Sequence, residues 1–553
     1  MPTIELSRKA VEKLMGKRLP DEKLRDRISM LGTDLESVDR ERIRVEVFPN
    51  RPDMLSEAGF ARALSAFIGV KPRLRAYAAR QSRYRVLVEP SVQEVRPFTA
   101  CAVVSGLRFD DERIREVIQL QEKLHTTFCR NRKKAAIGIY PLEHIKWPVR
   151  YLAKAPADIR FHPLEAHGEM SAQGILELHP AGKSYGHLLA GKESYPLFVD
   201  ARDEVLSMPP IINSHRTGRV SQKTRDVFIE TSGFDLASQS LLLNIIVTAL
   251  ADLGGKIHVV KVLYPKGYGQ RNLSTPDLAV RRMRLSREYA NRLLGIALTE
   301  KDMAKLLGKM GLGFERGNAL IPCYRADVLH PIDLVEDLAI AYGYERFEPA
   351  LPQVATVGEA APFTLFQEKV AALLAGLGLL ETRSYHLSSR ETQLEKMRAA
   401  PELVEIERSQ NAELSVLRAS LLPALMEVLQ RNKRHEYPQR LFEMGACFSL
   451  DSATETGAAE RFLLAYSGAH HKATFTEARQ VLDCLGRHLG IQVSVRAADS
   501  PSFIPGRSGE IIVNGQALGW IGEVHPAVLS AFSVEQPVSA FELDLQKLFE
   551  VKP

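Results

Sequence analysis

The sequence has no run of about 18 apolar residues, the length that a helix needs to cross a membrane. Its first stretch, MPTIELSRKAVEKL, carries charges throughout and lacks the apolar core of a signal peptide. Only five cysteines are present, and no two of them form a CxxC pair. We therefore expect neither a disulfide framework nor a cysteine zinc site, and a reducing, cytoplasmic setting fits best.

Aromatic residues and excess charge are also sparse. The two tryptophans, Trp147 and Trp520, belong to no stacking motif of the kind that binds single-stranded nucleic acid. Lysine and arginine total 73 against 67 acidic residues, which gives a formal net charge of +6. This small excess favours a polyanionic partner only weakly, and plain solubility explains it equally well.

The pattern of the chain is that of an α+β, multidomain protein. At roughly 100–200 residues per domain, 553 residues suggest three to five domains. The strand-like segments DVFIETSG and GKIHVVKVLYP flank an apolar helical segment, QSLLLNIIVTALADLGG. Composition and pattern divide the chain into four regions: 1–78, 79–268, 269–347 and 348–553.

An acidic cluster in the third region is the clearest candidate site. His330 and Pro331 predict a helix start, since proline is favoured in the first helical turn. On that helix Asp333, Glu336 and Asp337 are spaced i, i+3 and i+4, so they share one face. Asp327 precedes them in the segment leading into the helix.

Two interpretations of this cluster remain open from the residues alone. Four carboxylates without a lysine among them repel one another, and a hard cation such as magnesium prefers such oxygen ligands. Acidic residues near a helix N-terminus are, however, favoured by the helix dipole. Arg325 or Arg346 offers an alternative positive partner for them.

The residues around the cluster are specific enough to suggest a family. The segment YRADVLHPIDLVEDLAIAYGYERF, 324–347, resembles part of the β subunit of phenylalanyl-tRNA synthetase, a class II aminoacyl-tRNA synthetase. That family has a block Y-R-x-D-[IV]-x-H-x-x-D-[LI]-x-E-[DE] followed by G-Y. Every fixed position is met, by Tyr324, Arg325, Asp327, His330, Asp333, Leu334, Glu336, Asp337, Gly343 and Tyr344.

Further blocks resemble the same family in the same order along the chain. They are PNRPDMLSEAGFARAL (49–64), KLHTTFCRNRKKAAIGIYPLEHIKWP (123–148), PPIINSHRTGRVSQKTRDVFIETSGFD (209–235), NAELSVLRASLLPALMEVLQRN (411–432), RLFEMGACFSL (440–450) and GWIGEVHP (519–526). The sequence resembles the shorter, archaeal and eukaryotic type, because Arg40 leads almost directly into the PNRPD block.

The resemblance implies a role for each region. Region 1–78 would be an N-terminal domain, and 79–268 an editing domain of mixed strands and helices that binds tRNA. Region 269–347 would be a small helix-rich domain with the acidic magnesium cluster. Region 348–553 would be a non-catalytic class II synthetase-like antiparallel sheet flanked by helices.

The resemblance also implies a metal site. In the family the four acidic positions are magnesium ligands shared with the α subunit, which carries over to Asp327, Asp333, Glu336 and Asp337. The ATP site would lie in the α subunit.

Chemistry gives a reason to expect an editing site. Phenylalanine and tyrosine differ by one hydroxyl, which an apolar pocket rejects poorly. A second pocket that binds the phenol solves this problem with a buried polar acceptor, for which Glu230 is our choice. Ser207 and Asn213 are expected to position the substrate, and Ser214, Thr231 and Ser232 are further candidates. We expect water to attack the ester, helped by a terminal tRNA hydroxyl and not by a side-chain nucleophile.

Each of these residues also has a simpler, purely structural explanation. Serines and threonines beside PP and SG dipeptides usually cap helices or stabilise turns. His125 and Cys129, spaced i and i+4, suggest a nucleophile or metal pair but more often simply pack. The basic runs 130–134, 215–225 and 281–284 suit RNA phosphate, although such runs are often solvated surface.

The resemblance therefore implies a β subunit of phenylalanine–tRNA ligase. It would support ATP-dependent charging of tRNA(Phe) by an α subunit, in a tetramer of two α and two β chains, and would hydrolyse mischarged tyrosyl-tRNA(Phe). Two alternatives are a free-standing tRNA-editing hydrolase and a non-enzymatic RNA-binding scaffold. The length of region 348–553 argues against the first, and a deacylation assay separates both.

Overall fold

The structure is a computed structural model that describes residues 2–352, 356–409 and 411–551. The chain divides into two compact units, Met1–Ala350 and Leu351–Pro553. Both units combine sheets with helices, which confirms the predicted α+β, multidomain class. Within the described ranges, no helix is long and apolar enough to cross a membrane.

The first unit begins with a small antiparallel sheet and three helices. The sheet has the strand order β1-β3-β2. Ser56 accepts a hydrogen bond from the backbone N–H of Gly59 at 3.0 Å, and so caps the third helix. The elements are β1 (Thr3–Ser7), α1 (Arg8–Met15), α2 (Asp21–Met30), β2 (Asp34–Val38), β3 (Arg42–Glu46) and α3 (Glu57–Phe67).

A large mixed sheet forms the middle of this unit. The next strands are β4 (Arg85–Val88), β5 (Phe98–Ser105), β6 (Ala135–Pro141), β7 (Val149–Lys154), β8 (Arg160–Phe161), β9 (Met170–Ser171), β10 (Tyr195–Val199), β11 (Val205–Met208), β12 (Ile212–Asn213), β13 (Val227–Gly233), β14 (Lys256–Leu263) and β15 (Leu273–Thr275). β8 pairs only with β9, and the others follow the order β12-β11-β10-β7-β4-β14-β5-β13-β6, with β15 beside β14. The sheet thus extends past residue 268, the predicted end of the second domain.

Helices connect the strands of this sheet. They are α4 (Asp111–Thr126), α5 (Ala172–Leu178), α6 (Pro180–Tyr185), α7 (His215–Gly218) and α8 (Leu236–Asp252). Leu64 of α3, Leu120 of α4 and Ile246 of α8 belong to one continuous apolar core. The N-terminal elements and the large sheet therefore pack as one body around shared hydrophobic side chains.

The last part of the first unit holds the predicted helices and a small sheet that the sequence pattern did not reveal. The sheet has the order β16-β18-β17, and the final helix begins at Pro331, as predicted. The elements are β16 (Arg281–Arg284), α9 (Arg287–Leu294), α10 (Glu300–Lys309), β17 (Gly313–Glu315), β18 (Asn318–Ile321) and α11 (Pro331–Tyr342).

The second unit is built on a seven-stranded sheet flanked by helices. Its order is β19-β22-β23-β27-β26-β25-β24, antiparallel except for the pair β19 and β22. Its elements are α12 (Pro362–Gly376), β19 (Leu380–Glu381), β20 (Leu387–Ser388), β21 (Val416–Leu417), α13 (Leu422–Arg431), β22 (Gln439–Leu450), β23 (Ala458–Ala469), α14 (Phe475–Leu489), β24 (Val493–Ala497), β25 (Phe503–Val513), β26 (Gln516–Val524), α15 (Pro526–Ala531), β27 (Val538–Asp544) and α16 (Leu545–Val551). This is the antiparallel, helix-flanked sheet that was predicted.

Candidate functional site

Four polar side chains from four different strands meet in the large sheet. The phenol oxygen of Tyr140, on β6, lies 2.7 Å from Ser207 Oγ and 3.0 Å from Glu230 Oε1. It also lies 3.5 Å from Asn213 Oδ1. The phenol has one proton to donate, so the Ser207 hydroxyl can donate to Tyr140 while Tyr140 donates to Glu230. The structure thus brings together Ser207, Asn213 and Glu230, three of the six candidate editing residues.

The curvature of the sheet makes this meeting possible. In the strand order, β6 lies at one end of the sheet, and β11 and β12 lie at the other. Strands are about 4.8 Å apart, so the two ends of a flat sheet of this width would be tens of ångströms apart. The short Tyr140–Ser207 contact requires the sheet to bend until its two ends approach each other. The polar cluster lies where they do.

A cavity of about 630 Å³ opens beside the cluster. Ser207, Asn213 and Glu230 line it together with apolar side chains such as Ile137 and Ile139. This volume lies within the range of about 300–1,000 Å³ that is usual for sites of small ligands. An apolar wall with a few converging polar groups suits a ligand that has an aromatic ring and a polar end.

Glu230 has the most unusual environment in this cavity. It is 1% exposed, and burial raises the pKa of its carboxyl group to about 8, although the nearby Tyr140 hydroxyl and Arg96 charge oppose that rise. Tyr140 occupies Oε1, while Oε2 is buried and has no hydrogen-bond partner among the residues described. Since an unpaired buried carboxyl oxygen is costly, this atom is ready to bind a polar group of a ligand.

Ser232 does not line the cavity. Its hydroxyl accepts from Arg96 Nε at 3.2 Å, and its carbonyl accepts from Arg96 Nη2 at 2.7 Å. Ser214 accepts from the backbone N–H of Arg216 at the start of α7, and Thr231 donates to the carbonyl of Gln239. Ser214 therefore caps α7, whereas Thr231 and Ser232 lie within β13 and neither caps a helix nor forms a turn.

His125 and Cys129 are both buried, His125 lines the cavity, and the described residues show no hydrogen bond between the two side chains. His125 Nε2 accepts the backbone N–H of Ile137 at 3.0 Å, and burial lowers the pKa of the imidazole to about 4. Burial also raises the pKa of the Cys129 thiol to about 12, so the thiolate nucleophile is disfavoured. All five cysteines are free thiols.

Two residues that the sequence reasoning missed support the cavity. Tyr140 connects the candidate residues, yet it looked like an ordinary strand residue within GIYP. Arg132, within the basic run 130–134, lines the cavity and donates from Nη1 to the carbonyl of Ile211 at 2.8 Å. That arginine therefore holds the PPIIN turn and is not simply part of a solvated basic surface.

The acidic cluster is organised around an arginine. Arg325 donates to both oxygens of Asp327 at 2.7 Å and to Asp337 Oδ2 at 2.8 Å. Asp333 Oδ2 accepts from the backbone N–H groups of Leu329 and His330, both at 2.7 Å, which completes the helix cap. Glu336 is exposed to solvent.

These contacts bear on how well the four carboxylates suit a metal ion. Three of them are occupied, two by Arg325 and one by backbone N–H groups. Across residues 2–352, 356–409 and 411–551, no group of three or more histidine, cysteine, aspartate or glutamate side chains is arranged to hold a metal. As arranged here, the donors do not fit a magnesium ion, and the magnesium site stays a prediction.

Comparison with known proteins places the whole chain in one family. Residues 283–344 match the model of the tRNA synthetase B5 domain, and residues 348–545 match that of the phenylalanyl tRNA synthetase beta chain CLM domain. The phenylalanine–tRNA ligase beta subunit of Thermococcus sibiricus is 40% identical over 560 residues, covering 100% of this chain and 99% of the relative. That of Pyrococcus horikoshii is 40% identical over 559 residues, covering 99% and 100%.

A solved structure agrees with these matches. The crystal structure of an N-terminal fragment of the phenylalanyl-tRNA synthetase beta subunit from Pyrococcus horikoshii is 36% identical and superposes with a TM-score of 0.59. It covers 62% of this chain and 99% of the fragment. The resemblance drawn from the sequence blocks is confirmed, and the chain belongs to the family of phenylalanine–tRNA ligase β subunits, which are subunits of an aminoacyl-tRNA synthetase.

Proposed function

We propose that this ligase subunit also removes tyrosine wrongly attached to tRNA(Phe), and that the cavity between β6, β11, β12 and β13 is the hydrolytic site. The observation that supports this most directly is the unpaired Oε2 of Glu230, buried against a cavity of ligand size. Ser207 and Asn213 line the same cavity and are proposed to position the aminoacyl end of the tRNA.

The cavity combines an apolar lining with one polar acceptor, and this combination can distinguish tyrosine from phenylalanine. Its apolar lining accommodates an aromatic ring, whereas Glu230 Oε2 offers one hydrogen-bonding site at the end. In its ionised form Glu230 accepts the phenol O–H or the ammonium group of tyrosine, and either contact compensates for the buried charge. Phenylalanine has no hydroxyl for such a contact, so a site that depends on the phenol disfavours it.

The geometry supports hydrolysis by water and gives no support to a side-chain nucleophile. Ser207 Oγ is hydrogen-bonded to Tyr140, and His125 Nε2 is occupied by a backbone N–H. In the proposed step, a water oxygen forms a bond to the ester carbonyl carbon, and the ester bond to the ribose oxygen breaks. The water proton passes to that ribose oxygen, which leaves free tyrosine and uncharged tRNA.

The test is deacylation of tyrosyl-tRNA(Phe) by the chain assembled with its α subunit. Glu230→Ala and Asn213→Ala are expected to reduce deacylation at least about tenfold, since each removes a buried polar contact to the substrate. Glu193→Ala, at an exposed glutamate of the same domain, is the matched control. Wild-type hydrolysis in both pocket variants would refute the proposed site without affecting the family assignment.

The naming of the relatives as beta subunits implies an α partner and tRNA for this chain, in an ATP-dependent aminoacylation reaction. We propose a tetramer of two α and two β chains, with ATP bound by the α subunit. Leu380 and Tyr385 of the second unit, 66% and 87% exposed, support an apolar contact surface there. The chain alone should form no phenylalanyl-adenylate, and light scattering of the assembled complex should give the mass of four chains.

A further inference from the structure

A second cavity, of about 480 Å³, lies in the first unit between α3 and Tyr324. It shares no lining residue with the proposed editing cavity. Six cationic side chains and two carboxylates line it: Lys13, Arg51, Arg62, Lys71, Arg73 and Arg75, with Asp53 and Asp252. Its lining is therefore strongly cationic, unlike the mainly apolar editing cavity.

Arg62 forms the buried wall of this cationic cavity. Its side chain is 7% exposed, and Nη1 donates to Asp252 Oδ2 at 2.8 Å and to the phenol oxygen of Tyr77 at 3.0 Å. The guanidinium carbon lies 3.7 Å from the centre of the Tyr324 ring, which fixes its plane. Nε and Nη2 are buried and find no hydrogen-bond partner in the part of the chain that the structure describes.

Ser65 adds a second unpaired donor to the same cavity. The residue is 2% exposed, and its hydroxyl is buried without a hydrogen-bond partner among the described residues. Buried polar groups are nearly always paired, so two such groups lining one cavity indicate that a polar ligand completes them. Because the free groups of Arg62 are N–H donors, that ligand must supply acceptor oxygens.

Exposed cationic side chains lie at the solvent-facing mouth of the cavity. Lys71, Arg73 and Arg75 are exposed, and Arg75 pairs with Asp252 Oδ1 at 2.8 Å. Among the described residues, Lys71 Nζ makes a single hydrogen bond, a long one of 3.3 Å to the carbonyl of Leu14. Both carboxylates of the lining are already paired with arginines, since Asp53 is held by Arg51 at 2.9 Å. The remaining cations are available to an incoming anion.

We infer that this cavity binds a phosphate-type oxyanion. A guanidinium with two free N–H groups matches the geometry of phosphate oxygens, and the Ser65 hydroxyl adds a further donor. The low dielectric of a buried wall strengthens these contacts, while the exposed cations attract the anion from solvent. The phosphate belongs either to a small free anion or to the backbone of the RNA, and both sources present the same oxygens.

The decisive variant is Ser65→Ala in the full-length chain. Among the described residues the Ser65 hydroxyl makes no hydrogen bond, so its removal leaves the fold intact, whereas truncating Arg62 would remove the buried hydrogen bonds that it donates to Asp252 and Tyr77. Calorimetric titration with inorganic phosphate and with pyrophosphate, at constant ionic strength in chloride, is expected to show binding to the wild type. Ser65→Ala should weaken that binding about threefold to tenfold.

A charge-matched pair of double variants tests the mouth. Lys71→Ala with Arg73→Ala removes two lining cations and should weaken binding at least about tenfold. Lys17→Ala with Arg18→Ala removes two exposed cations of the same unit that do not line the cavity, and should leave binding unchanged. Equal effects of the two pairs would indicate general electrostatic attraction and would overturn the assignment.

A parallel titration with tRNA distinguishes the two sources of phosphate. Binding of phosphate or pyrophosphate that depends on Ser65 identifies a small free anion. No binding of the small anions, together with tRNA binding that weakens in Ser65→Ala and in the Lys71 and Arg73 variant, identifies an RNA phosphate. If neither ligand is sensitive to Ser65→Ala, the cavity is not an oxyanion site.

Discussion

Nη2 of Arg325 lies 2.8 Å from Oδ2 of Asp337 and 2.7 Å from Oδ2 of Asp327, so one guanidinium group bridges two acidic residues. Arg325 and Asp337 are each 4% exposed. A buried charge without a partner is strongly unfavourable, and this bridge joins the segment before α11 to the first turns of that helix. Two of the four carboxylates of the acidic cluster therefore have a positive partner within the chain itself.

Replacing Arg325 by methionine should markedly destabilise the first unit. The change retains an apolar stem but leaves the carboxylates of Asp327 and Asp337 unpaired, at a cost of about 3–5 kcal/mol. Urea unfolding of the full-length chain, followed by circular dichroism, measures the loss. Arg282→Met is the control, because Arg282 is exposed and lies 3.9 Å from Glu315; it should cost less than about 1 kcal/mol. Equal losses in the free energy of unfolding would show that the buried bridge stabilises the protein no more than the exposed pair does.

Chelation of divalent metal should leave the isolated chain unchanged. Asp327 and Asp337 are bound to Arg325 and Asp333 is bound to backbone N–H groups, so three of the four carboxylates already have partners in the isolated chain. The melting temperature should therefore be the same in EDTA as in millimolar magnesium. A magnesium-dependent rise of several degrees, abolished by Asp333→Asn, would instead support the magnesium site predicted from the sequence.

The acidic segment shows what the sequence could and could not predict. The helix start at Pro331 and the shared face of Asp333, Glu336 and Asp337 follow from local rules, and the structure agrees with the predicted start. The partner of the cluster was left open between Arg325 and Arg346. Arg346 donates instead to the carbonyl of Tyr342, a choice that depends on how the segment before the helix folds back.

The editing cavity likewise could not be predicted fully, because its residues come from strands that are far apart in sequence. The types of Ser207, Asn213 and Glu230 mark them as candidates, but their meeting with Tyr140 depends on the bending of a sheet whose strands are far apart in sequence. Periodicity within one strand carries no information about such curvature. Likewise, Leu425 and Leu429 of α13 are buried in the core of their own unit, which their helical spacing alone does not specify.

Tyr140→Phe tests the residue that connects the cavity. Loss of the hydroxyl leaves Glu230 Oε1 and Ser207 Oγ without their shared partner, which should cost about 1–3 kcal/mol of stability. Deacylation of tyrosyl-tRNA(Phe) should fall, and its dependence on pH should shift because the Tyr140 hydroxyl opposes the rise in the pKa of Glu230. Tyr195→Phe, in the same sheet but outside the cavity lining, is the control. An unchanged pH profile would show that the Tyr140 hydroxyl does not take part in the editing site.

Glu116 should make the stability of the first unit depend on pH. Burial and the nearby Glu57 raise the pKa of its carboxyl group from 4.5 to about 8. The folded state therefore holds a proton that the unfolded chain loses, so stability is full below about pH 4.5 and declines as pH rises through 8. Glu116→Gln should become more stable relative to the wild type as pH rises from 5 to 8.5, by roughly 1–4 kcal/mol.

Glu230 also has a pKa of about 8, so its ionisation also makes the free energy of unfolding depend on pH. A second variant is therefore needed to isolate the contribution of Glu116. Glu112→Gln changes an exposed residue of the same helix and keeps both buried acids. Its stability should therefore follow the wild type at every pH, and the difference between the two glutamine variants isolates Glu116. Parallel curves for both variants between pH 5 and 8.5 would show that Glu116 keeps an ordinary pKa.

Gly138→Ala should impair editing without unfolding the protein. Gly138 lies on β6 directly opposite Glu230 on β13, and an added methyl carbon would lie 2.0 Å from the Tyr140 phenol oxygen and 2.5 Å from Glu230 Oε1. Both atoms are ends of side chains, so they are displaced while the strands hold, at about 1–3 kcal/mol. Deacylation of tyrosyl-tRNA(Phe) should drop at least about tenfold, while phenylalanine charging with the α subunit persists. Gly168→Ala, where nothing lies within 4 Å of the added methyl, should change neither activity. Normal deacylation by Gly138→Ala would place the editing chemistry outside this cavity.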